Sequence, residues 1–390
     1  LKFGIWHDAY YMTSNQSPAR VFAFNRSEML SGIPAARSIS ITYTPPKPGG
    51  FWLAMPGCAA DGTLPPSTAP CPIISFEDNG WGAGFNDEVN IYNMSVNWVP
   101  AVPTGSITLG ATVPAAAFDA YYDPGWNDVS QPGTAQKLDG IGGVVQYRAQ
   151  WKSWTGYNSV VLNWPVRISA TQRSIKWAEM RQNQVSGVWS MYQEGIYTPD
   201  ADTRWMGSIC MDNNGSIGLS YMKSNATATY PGLYYTGRRT CDPLGTLPVS
   251  EQLVVAGTGF QSGTNRNGDY AQTTLDVDGV TFWSTSEYMG GSSGGSAART
   301  RIFSYQIAPC SVPVAVSIAL TSGTNPTCSG QAVTFTATPT NGGSSPSYQW
   351  KVDGTNVWFN SPTYTTSSLV SGQTVTCVLT SNAPGAIGNP

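Results

Sequence analysis

The chain of 390 residues is long enough for two or three domains with a sizeable core. Charged residues make up only 11% of it, the net charge is −3 and no run of Lys or Arg occurs, which excludes nucleic acid and anionic membrane as expected partners. No apolar stretch approaches the roughly 18 residues of a membrane span. Aromatic residues reach 12%, and 42 Gly with 28 Pro occur without a period. This composition excludes collagen and is typical of a secreted all-β protein with many turns.

The predicted elements of the first 310 residues are short strands between turns. Alternating residues predict strands within 4–13, 21–24, 39–43, 73–76, 88–97, 106–113, 144–151, 159–166, 174–181 and 188–194, with loops at 45–73 and 114–137 and one helical turn at 27–30. The stretch 204–221 alternates on both sides of Asp212-Asn213-Asn214-Gly215, which predicts a hairpin. Further strands are predicted at 231–238, 251–256 and 299–307, and the segment 276–284 is predicted to form a turn followed by a strand. So many short strands exceed one sandwich and favour a β-propeller of five to seven blades.

Several short motifs between residues 204 and 302 occur in an order that resembles a family of secreted bacterial β-propeller proteins without an assigned activity. These are Arg204-Trp205-Met206-Gly207-Ser208, Tyr234-Tyr235-Thr236-Gly237-Arg238, Asp242-Pro243-Leu244-Gly245-Thr246, Gly268-Asp269-Tyr270, Thr281-Phe282-Trp283 and Arg299-Thr300-Arg301-Ile302. The resemblance implies a propeller over 1–311, with further strands before Leu1. We therefore expect the sequence to be a processed or partial piece of a longer protein.

Residues 312–390 are predicted to form a second all-β domain. Cys328, Trp350 and Cys377 have the spacing of a disulfide that joins two sheets over a central Trp. The segments 325–330 and 347–354 resemble the Ig/PKD-like modules of Bacteroidota surface adhesins. That resemblance implies an Ig-like β-sandwich and export by the type IX secretion machinery of the outer membrane. The last strand of the module is absent from the pattern, so we expect the module to be truncated.

The seven cysteines indicate an oxidising compartment outside the cytoplasm. We expect a Cys58–Cys71 disulfide around a Pro/Gly/Thr loop and a Cys210–Cys241 disulfide between successive strand pairs. Cys310 is left without a predicted partner. A zinc site is not expected, because there is no C-x-x-C pair and only one His.

Candidate catalytic residues are few. His7 is the only His and lies beside Asp8 in a predicted turn, where a solvated or capping role is favoured over catalysis. The densest polar group suits a carbohydrate-active, for example sialidase-like, hydrolase, although hydrogen bonding to backbone amides in a turn is the favoured role of Asp200 and Asp202. It consists of Glu194, Asp200, Asp202 and Arg204. The segment Asp276-Val277-Asp278-Gly279 resembles a sialidase Asp-box, which in that family stabilises the fold away from catalysis.

No cofactor is predicted. Calcium is the alternative, because Asp212, Asp276 and Asp278 lie in oxygen-rich turns, but they lack the spaced ligands and terminal Glu of an EF-hand loop. Aromatic residues in loops are candidate sugar-stacking platforms, since most other Trp are expected to pack between blades. These candidates are Trp81, Trp126, Tyr121 and Tyr122.

Without a convincing catalytic set, the sequence predicts a non-enzymatic, secreted or cell-surface protein for adhesion to a glycan or a protein. The adhesin function itself is implied by the resemblance. A carbohydrate-active hydrolase and a structural cargo segment of a type IX-secreted protein are the alternatives.

Overall fold

The computed structural model of the chain describes residues 1–43, 54–120, 127–291, 298–310, 312–383 and 385–388. These residues fall into two compact units, Leu1–Ile307 and Ala308–Pro390. The first unit is built from antiparallel meanders, in each of which a strand pairs with the next one along the chain, and two of these meanders share one sheet. No helix among the described residues is long and apolar enough to cross a membrane.

The first sheet contains β1 (Lys2–Ile5), β2 (Ala9–Ser14), β3 (Arg20–Asn25) and β4 (Ser38–Thr42). The short helix α1 (Arg26–Leu30) follows β3 at the predicted helical turn, and the Asn25 side chain caps it by accepting from Glu28 N. The second sheet has eight strands, formed by β5 (Met55–Cys58), β6 (Cys71–Glu77), β7 (Glu88–Asn97), β8 (Thr104–Pro114), β9 (Ala149–Ser153), β10 (Tyr157–Arg167), β11 (Arg173–Asn183) and β12 (Trp189–Tyr197). Within it, β5–β8 and β9–β12 are two meanders joined by the parallel pair β5–β9.

The third sheet contains β13 (Thr203–Met211), β14 (Ile217–Ser224), β15 (Gly232–Arg238) and β16 (Val249–Val255), and the fourth contains β17 (Gln272–Leu275), β18 (Phe282–Met289) and β19 (Ala298–Tyr305). The predicted hairpin is confirmed: Met211 pairs with Ile217 across the turn, and Gly215 has a φ of 82°. A positive φ of this kind is easily reached by glycine.

The first strands of successive meanders lie side by side, β1 next to β5, β5 next to β9, β9 next to β13 and β13 next to β17. All nine residues of β13 are buried, whereas most of the outer strands β16 and β19 are half-buried or exposed. Burial that decreases from the first to the last strand of a sheet is expected when first strands surround a common axis. The first unit is therefore all-β and β-propeller-like.

Large aromatic side chains fill the space between these sheets. The rings of Trp6 and Trp151 meet edge to face with centroids 5.2 Å apart, and those of Phe76 and Trp164 stack at 5.1 Å. Trp6, Trp164, Trp177 and Trp205 are almost completely buried. Burial of such large apolar surfaces supplies much of the free energy of folding.

Several predicted segment boundaries differ from the structure, and two of the differences lie around β5 and β9. The predicted loop at 45–73 contains β5, whose Pro56 and Gly57 have low strand propensity. Tertiary contacts decide here: a Cβ at Gly57 would lie 2.6 Å from Pro72 Cγ, and one at Gly4 would lie 2.4 Å from Gly57 O. Glycine permits this close approach of three chain segments. The strand predicted at 144–151 begins only at Ala149.

The second unit contains two three-stranded antiparallel sheets and one short parallel pair. Its strands are β20 (Val312–Pro313), β21 (Ala315–Ser322), β22 (Val333–Thr340), β23 (Ser347–Val352), β24 (Thr355–Phe359), β25 (Thr363–Thr366), β26 (Val375–Thr380) and β27 (Ala386–Ile387). Trp350 is fully buried in the small core of this unit, together with Tyr348 and Tyr364.

The structure corrects the disulfide predictions. Cys241 and Cys310 are disulfide-bonded, so Cys310 is not the unpaired cysteine and the predicted Cys210–Cys241 bond is wrong. The remaining five cysteines are free: Cys58, Cys71, Cys210, Cys328 and Cys377.

Local geometry explains two of the missing disulfides. β5 leaves β6 after Pro56 and pairs with β9, which places Cys58 Sγ 3.4 Å from Arg148 Nη1 rather than against Cys71. Cys377 lies beside Trp350 in the neighbouring strand, whereas Cys328 is exposed in the connection between β21 and β22. A sheet-bridging disulfide requires both cysteines to face the space between the sheets.

Candidate functional site

The predicted polar group around Arg204 is a closed network of ion pairs. Arg204 is buried and donates from Nη1 and Nη2 to the two carboxylate oxygens of Asp200, each at 2.8 Å, and from Nε to Glu251 Oε2 at 2.7 Å. Lys223 Nζ lies 2.6 Å from Glu251 Oε1 and 3.3 Å from Asp202 Oδ2. The structure thus brings together three of the four predicted residues, and it supplies two partners, Lys223 and Glu251, that the sequence analysis missed.

This network keeps its carboxylates ionised. Hydrogen bonds from Arg204 lower the pKa of Asp200 to about 2. Burial acts to raise the pKa of Glu251, but hydrogen bonds from Arg204, Lys223 and Tyr221 bring it below its ordinary value. A general acid needs a raised pKa, so the arrangement is suited to stabilising the sheet and not to donating a proton.

Glu194, the fourth predicted residue, has other partners. Its Oε2 lies 2.6 Å from Nζ of the buried Lys176, and its Oε1 accepts from Ala116 N at 2.7 Å. Both of its oxygens are therefore engaged in contacts separate from those of Arg204.

The carboxylates of the candidate calcium turns accept hydrogen bonds from their own turns. Asp212 Oδ1 accepts from two turn amides at 2.8 Å each, and Asp278 Oδ1 does the same. Asp276 accepts from Val277 N and from Trp283 Nε1. No group of three His, Cys, Asp or Glu side chains in the described parts of the chain is arranged to hold a metal ion.

Of the candidate aromatic platforms, Trp81 is the one within the described residues. It ends a short 3-10 helix, is half-buried and packs on Phe76 and Phe85 with ring centroids 5.6 and 6.1 Å apart. Tyr121, Tyr122 and Trp126 lie outside the described residues, so their role stays a prediction.

A second charged group, not found in the sequence analysis, lies where the chain enters β1, β9 and β17. We call it the Arg266 cluster; it comprises Lys2, Asp139, Arg266, Asp269 and Tyr270. Arg266 Nη1 lies 3.5 Å from Asp139 Oδ2, and Arg266 Nη2 binds Asp269 Oδ2. A cavity of about 200 Å³ is lined by Lys2, Arg266, Asp269 and Tyr270.

Two carboxylate oxygens of this cluster lack ordinary hydrogen-bond partners. Asp139 Oδ2 and Asp269 Oδ1 are buried and accept no hydrogen bond from the described residues. Buried polar atoms are nearly always satisfied, so each exception calls for an explanation such as a catalytic role or a bound group. Asp139 Oδ2 is the oxygen that contacts Arg266, and Asp139 does not line the cavity, so of these two carboxylates it is Asp269 that retains capacity to interact with a ligand there.

Local backbone conformations hold the two carboxylates in place. Ile141 has a φ of 50°, which is strained for a β-branched residue, and its amide donates to Asp139 Oδ1 at 2.7 Å. Gly268 has a φ of 81°, and a Cβ there would lie 2.5 Å from Met222 Sδ. Glycine is therefore needed immediately before Asp269.

The environment separates the charge states in this cluster. Burial raises the pKa of Asp139 to about 6. Burial also lowers the pKa of Lys2 to about 8. Asp269 is bound directly by the Arg266 guanidinium. One carboxyl group with a raised pKa beside a second, ion-paired carboxylate is an arrangement suited to acid–base chemistry.

The sequence carried only a weak signal for this cluster. Gly268-Asp269-Tyr270 belongs to one of the resembling motifs, but Asp139 has no neighbouring charge in the sequence beyond Lys137. The two segments meet because Asp139 N donates to Asn265 O at 2.8 Å, a contact between distant parts of the chain.

The chain has similar proteins among the solved structures. No family model and no curated protein matches the sequence. An α-L-arabinofuranosidase from Lactobacillus brevis is similar with 14% identity and a TM-score of 0.32, over 73% of this chain and 80% of that one. An α-L-arabinanase from Penicillium chrysogenum, complexed with arabinobiose, has 13% identity and a TM-score of 0.27, over 72% and 76%. A protein of unknown function from Dyadobacter fermentans has 10% identity and a TM-score of 0.25, over 77% and 97%.

The prediction of a non-enzymatic adhesin is corrected. The similar structures named above include two glycosidases, an α-L-arabinofuranosidase and an α-L-arabinanase. The sequence analysis also missed the Arg266 cluster, in which Asp139 and Asp269 contact one guanidinium and Asp269 lines a cavity.

Proposed function

We propose that the chain is a carbohydrate-active hydrolase whose catalytic carboxyl groups are Asp139 and Asp269. The observation that carries this proposal is that both groups contact one guanidinium and that Asp269, which lines the cavity, keeps a buried oxygen without a hydrogen-bond partner.

The environments of the two groups assign their roles. Asp139, with its pKa raised to about 6, is the proton donor; because it is fully buried and does not line the cavity, it reaches the glycosidic oxygen through a water or a rearrangement on substrate binding. Asp269 acts as the ionised partner, either as base or as nucleophile. Arg266 holds both side chains in position, and Lys2 adds a second positive charge to the cavity wall.

The substrate we propose is a terminal sugar residue. The cavity of about 200 Å³ is smaller than the about 300–1,000 Å³ of sites for drug-sized ligands, which favours one ring over several. Tyr270 is 73% exposed and lines this cavity, so its ring face is available to the apolar face of a sugar.

The first experiment is incubation of the chain with a glycan array and with soluble polysaccharides, scored for released sugar. Asp139→Asn and Asp269→Asn should each lower the rate by about 10²- to 10⁴-fold, the usual contribution of an acid–base group. Asp200→Asn, in the separate network around Arg204, serves as the matched control and should retain activity. Loss of activity in the control alone would move the site to Arg204, and absence of sugar release by the wild-type chain on all substrates would reject the proposal.

The location and the finer architecture are part of the proposal. We propose that the protein acts outside the cytoplasm, which the disulfide state of Cys241 and Cys310 and the low charge content support. We further propose that the sheets of the first unit are blades of one propeller and that the second unit is an Ig-like sandwich. Its two three-stranded sheets and buried Trp350 support that assignment.

A further inference from the structure

We propose that a second cavity in the first unit binds a small molecule with an apolar body and one uncharged hydrogen-bond acceptor. This apolar cavity has a volume of about 760 Å³. Its lining includes Phe3, Ile5, Phe24, Leu30, Ala60 and Arg148. The volume falls within the about 300–1,000 Å³ typical of small-molecule sites, which combine apolar walls with a few polar groups.

The mouth of the apolar cavity exposes large hydrophobic side chains. Phe3 is 46% exposed and Leu30 is 64% exposed, although both line the cavity. Exposed apolar side chains that converge on one opening favour a ligand with an apolar body over a sugar or another strongly hydrated molecule.

Arg148 supplies the polar end of the site. Its side chain is only 2% exposed, its Nη2 is ion-paired with Asp61 and its Nη1 donates to Cys58 Sγ at 3.4 Å. Its Nε is buried and has no hydrogen-bond partner among the described residues. A buried guanidinium N–H beside a cavity is a donor that a ligand can satisfy.

The charge of Arg148 is already balanced, which selects an uncharged ligand. Asp61 is 5% exposed, and its oxygens also accept from Thr274 Oγ1 at 2.7 Å and from Gln150 Nε2 at 3.1 Å. A ligand carboxylate would have to lose its hydration beside this neutralised pair and next to the Asp61 charge. A hydroxyl, carbonyl or ether oxygen accepts from Nε without that cost.

The apolar cavity is separate from the Arg266 cluster. Lys2 lines the smaller cavity, whereas the next residues of β1, Phe3 and Ile5, line the apolar one, and the two linings share no described residue. Binding here is therefore independent of the proposed hydrolase activity, and its test does not depend on a glycan substrate.

The test is calorimetric titration of the full chain with 1-octanol and, as the charged match, with sodium octanoate. We expect saturable binding of one octanol per chain and at least tenfold weaker binding of octanoate. Ala60→Trp places a large side chain in the cavity and should abolish octanol binding. Val185→Trp adds the same side chain at a position that is 96% exposed and outside the cavity, so it should bind like the wild type.

A conservative variant tests the role of Nε. Arg148→Lys keeps a cation for Asp61 but removes the Nε donor, and it should weaken octanol binding about tenfold or more, as expected for one hydrogen bond from a charged donor. Circular dichroism checks that this variant folds. If it does not fold, Ala60→Trp and the comparison of octanol with octanoate still test whether the apolar cavity binds an uncharged ligand. Octanoate binding as tightly as octanol, no saturable binding of octanol, or unchanged binding to Ala60→Trp would each overturn the proposal.

Discussion

Asp139 and Asp269 contact different nitrogens of the same guanidinium, Nη1 and Nη2 of Arg266, although the chain brings them in from widely separated segments. Asp139 is fully buried, while Asp269 is partly open to the cavity. The difference in burial assigns one group to proton donation and leaves the other ionised.

Asp139→Asn should stabilise the protein at neutral pH. The native pKa of Asp139 is raised to about 6, above its unfolded value, so the wild type loses stability as pH rises from about 4 through 6. An amide avoids this cost, and we expect a gain of about 1 to 3 kcal/mol at pH 7 that shrinks towards zero at pH 4. Urea unfolding of both proteins at the two pH values measures the gain. Lower stability of the variant at pH 7 would contradict the assignment.

The hydrolytic rate should fall as pH rises through about 6. Above that pH Asp139 loses the proton that a general acid must donate. Because the positive charge of Arg266 acts to lower this pKa, Arg266→Gln should move the falling limb to higher pH in whatever activity remains. The measurement is kcat/KM against pH on the substrate found by screening. If kcat/KM of Arg266→Gln falls at the same pH as that of the wild type, the fall is due to a titrating group other than Asp139.

Gly268→Ala should damage the candidate site more than Gly263→Ala. Both glycines have a positive φ, 81° and 79°, so both substitutions carry the backbone cost of about 1 kcal/mol. Only at Gly268 would the new Cβ meet a neighbour, Met222 Sδ at 2.5 Å, whereas Gly263 faces open space. We expect an additional loss of about 1 to 3 kcal/mol for Gly268→Ala, with reduced activity. Equal denaturation midpoints for the two variants would disprove this constraint on Asp269.

Arg204→Met should be strongly destabilising. The substitution removes the cation shared by Asp200 and Glu251 and leaves Glu251 partly buried with Lys223 and Tyr221 as its partners. Breaking a buried ion pair by removing one partner costs about 3 to 5 kcal/mol. Asp200 is 47% exposed, so Asp200→Asn should cost less than about 1 kcal/mol. Guanidinium unfolding of both variants provides the comparison, and similar losses for the two would show that Arg204 is not the centre of the network.

Thiol labelling should distinguish the cysteines in the order of their exposure. In the native, unreduced protein the exposed Cys328 should react first, and the buried Cys58, Cys71 and Cys210 only after denaturation. Denatured, unreduced chain should take up five labels, because only Cys241 and Cys310 are bonded. Mass spectrometry counts the labels. Three labels, with Cys328 and Cys377 unlabelled, would restore the sheet-bridging disulfide predicted from the sequence.

The alternation of side chains was enough to predict an all-β chain and its turns. The hairpin at Asn214-Gly215 is an example in which the signal lies within a few residues. β5 was missed because its glycine and proline residues take up strand geometry only through contact with β1, β6 and β9. Intrinsic propensity cannot represent such contacts.

The candidate site was harder to predict from the sequence than the fold was. The group Asp200, Asp202 and Arg204 drew attention because its charges are adjacent in sequence, and the structure uses them to neutralise one another. Asp139 and Asp269 lie in loops whose contact depends on the closure of the whole unit. The burial that raises the pKa of Asp139 exists only in the folded chain, so the sequence does not reveal it.

The parallel pairing of β5 with β9 cannot form until β9 has been translated, well after β5. Gly57 emerges from the ribosome long before its partner Ala149, and the intervening meander β6–β8 must fold or wait with the inner edge of β5 unpaired. Pairings between distant residues are slow to form, and an unpaired edge during that delay favours aggregation. Production of the chain should therefore be most vulnerable after β8 has been translated and before β9 arrives, so that slower translation across 115–148 would lower the yield of soluble protein.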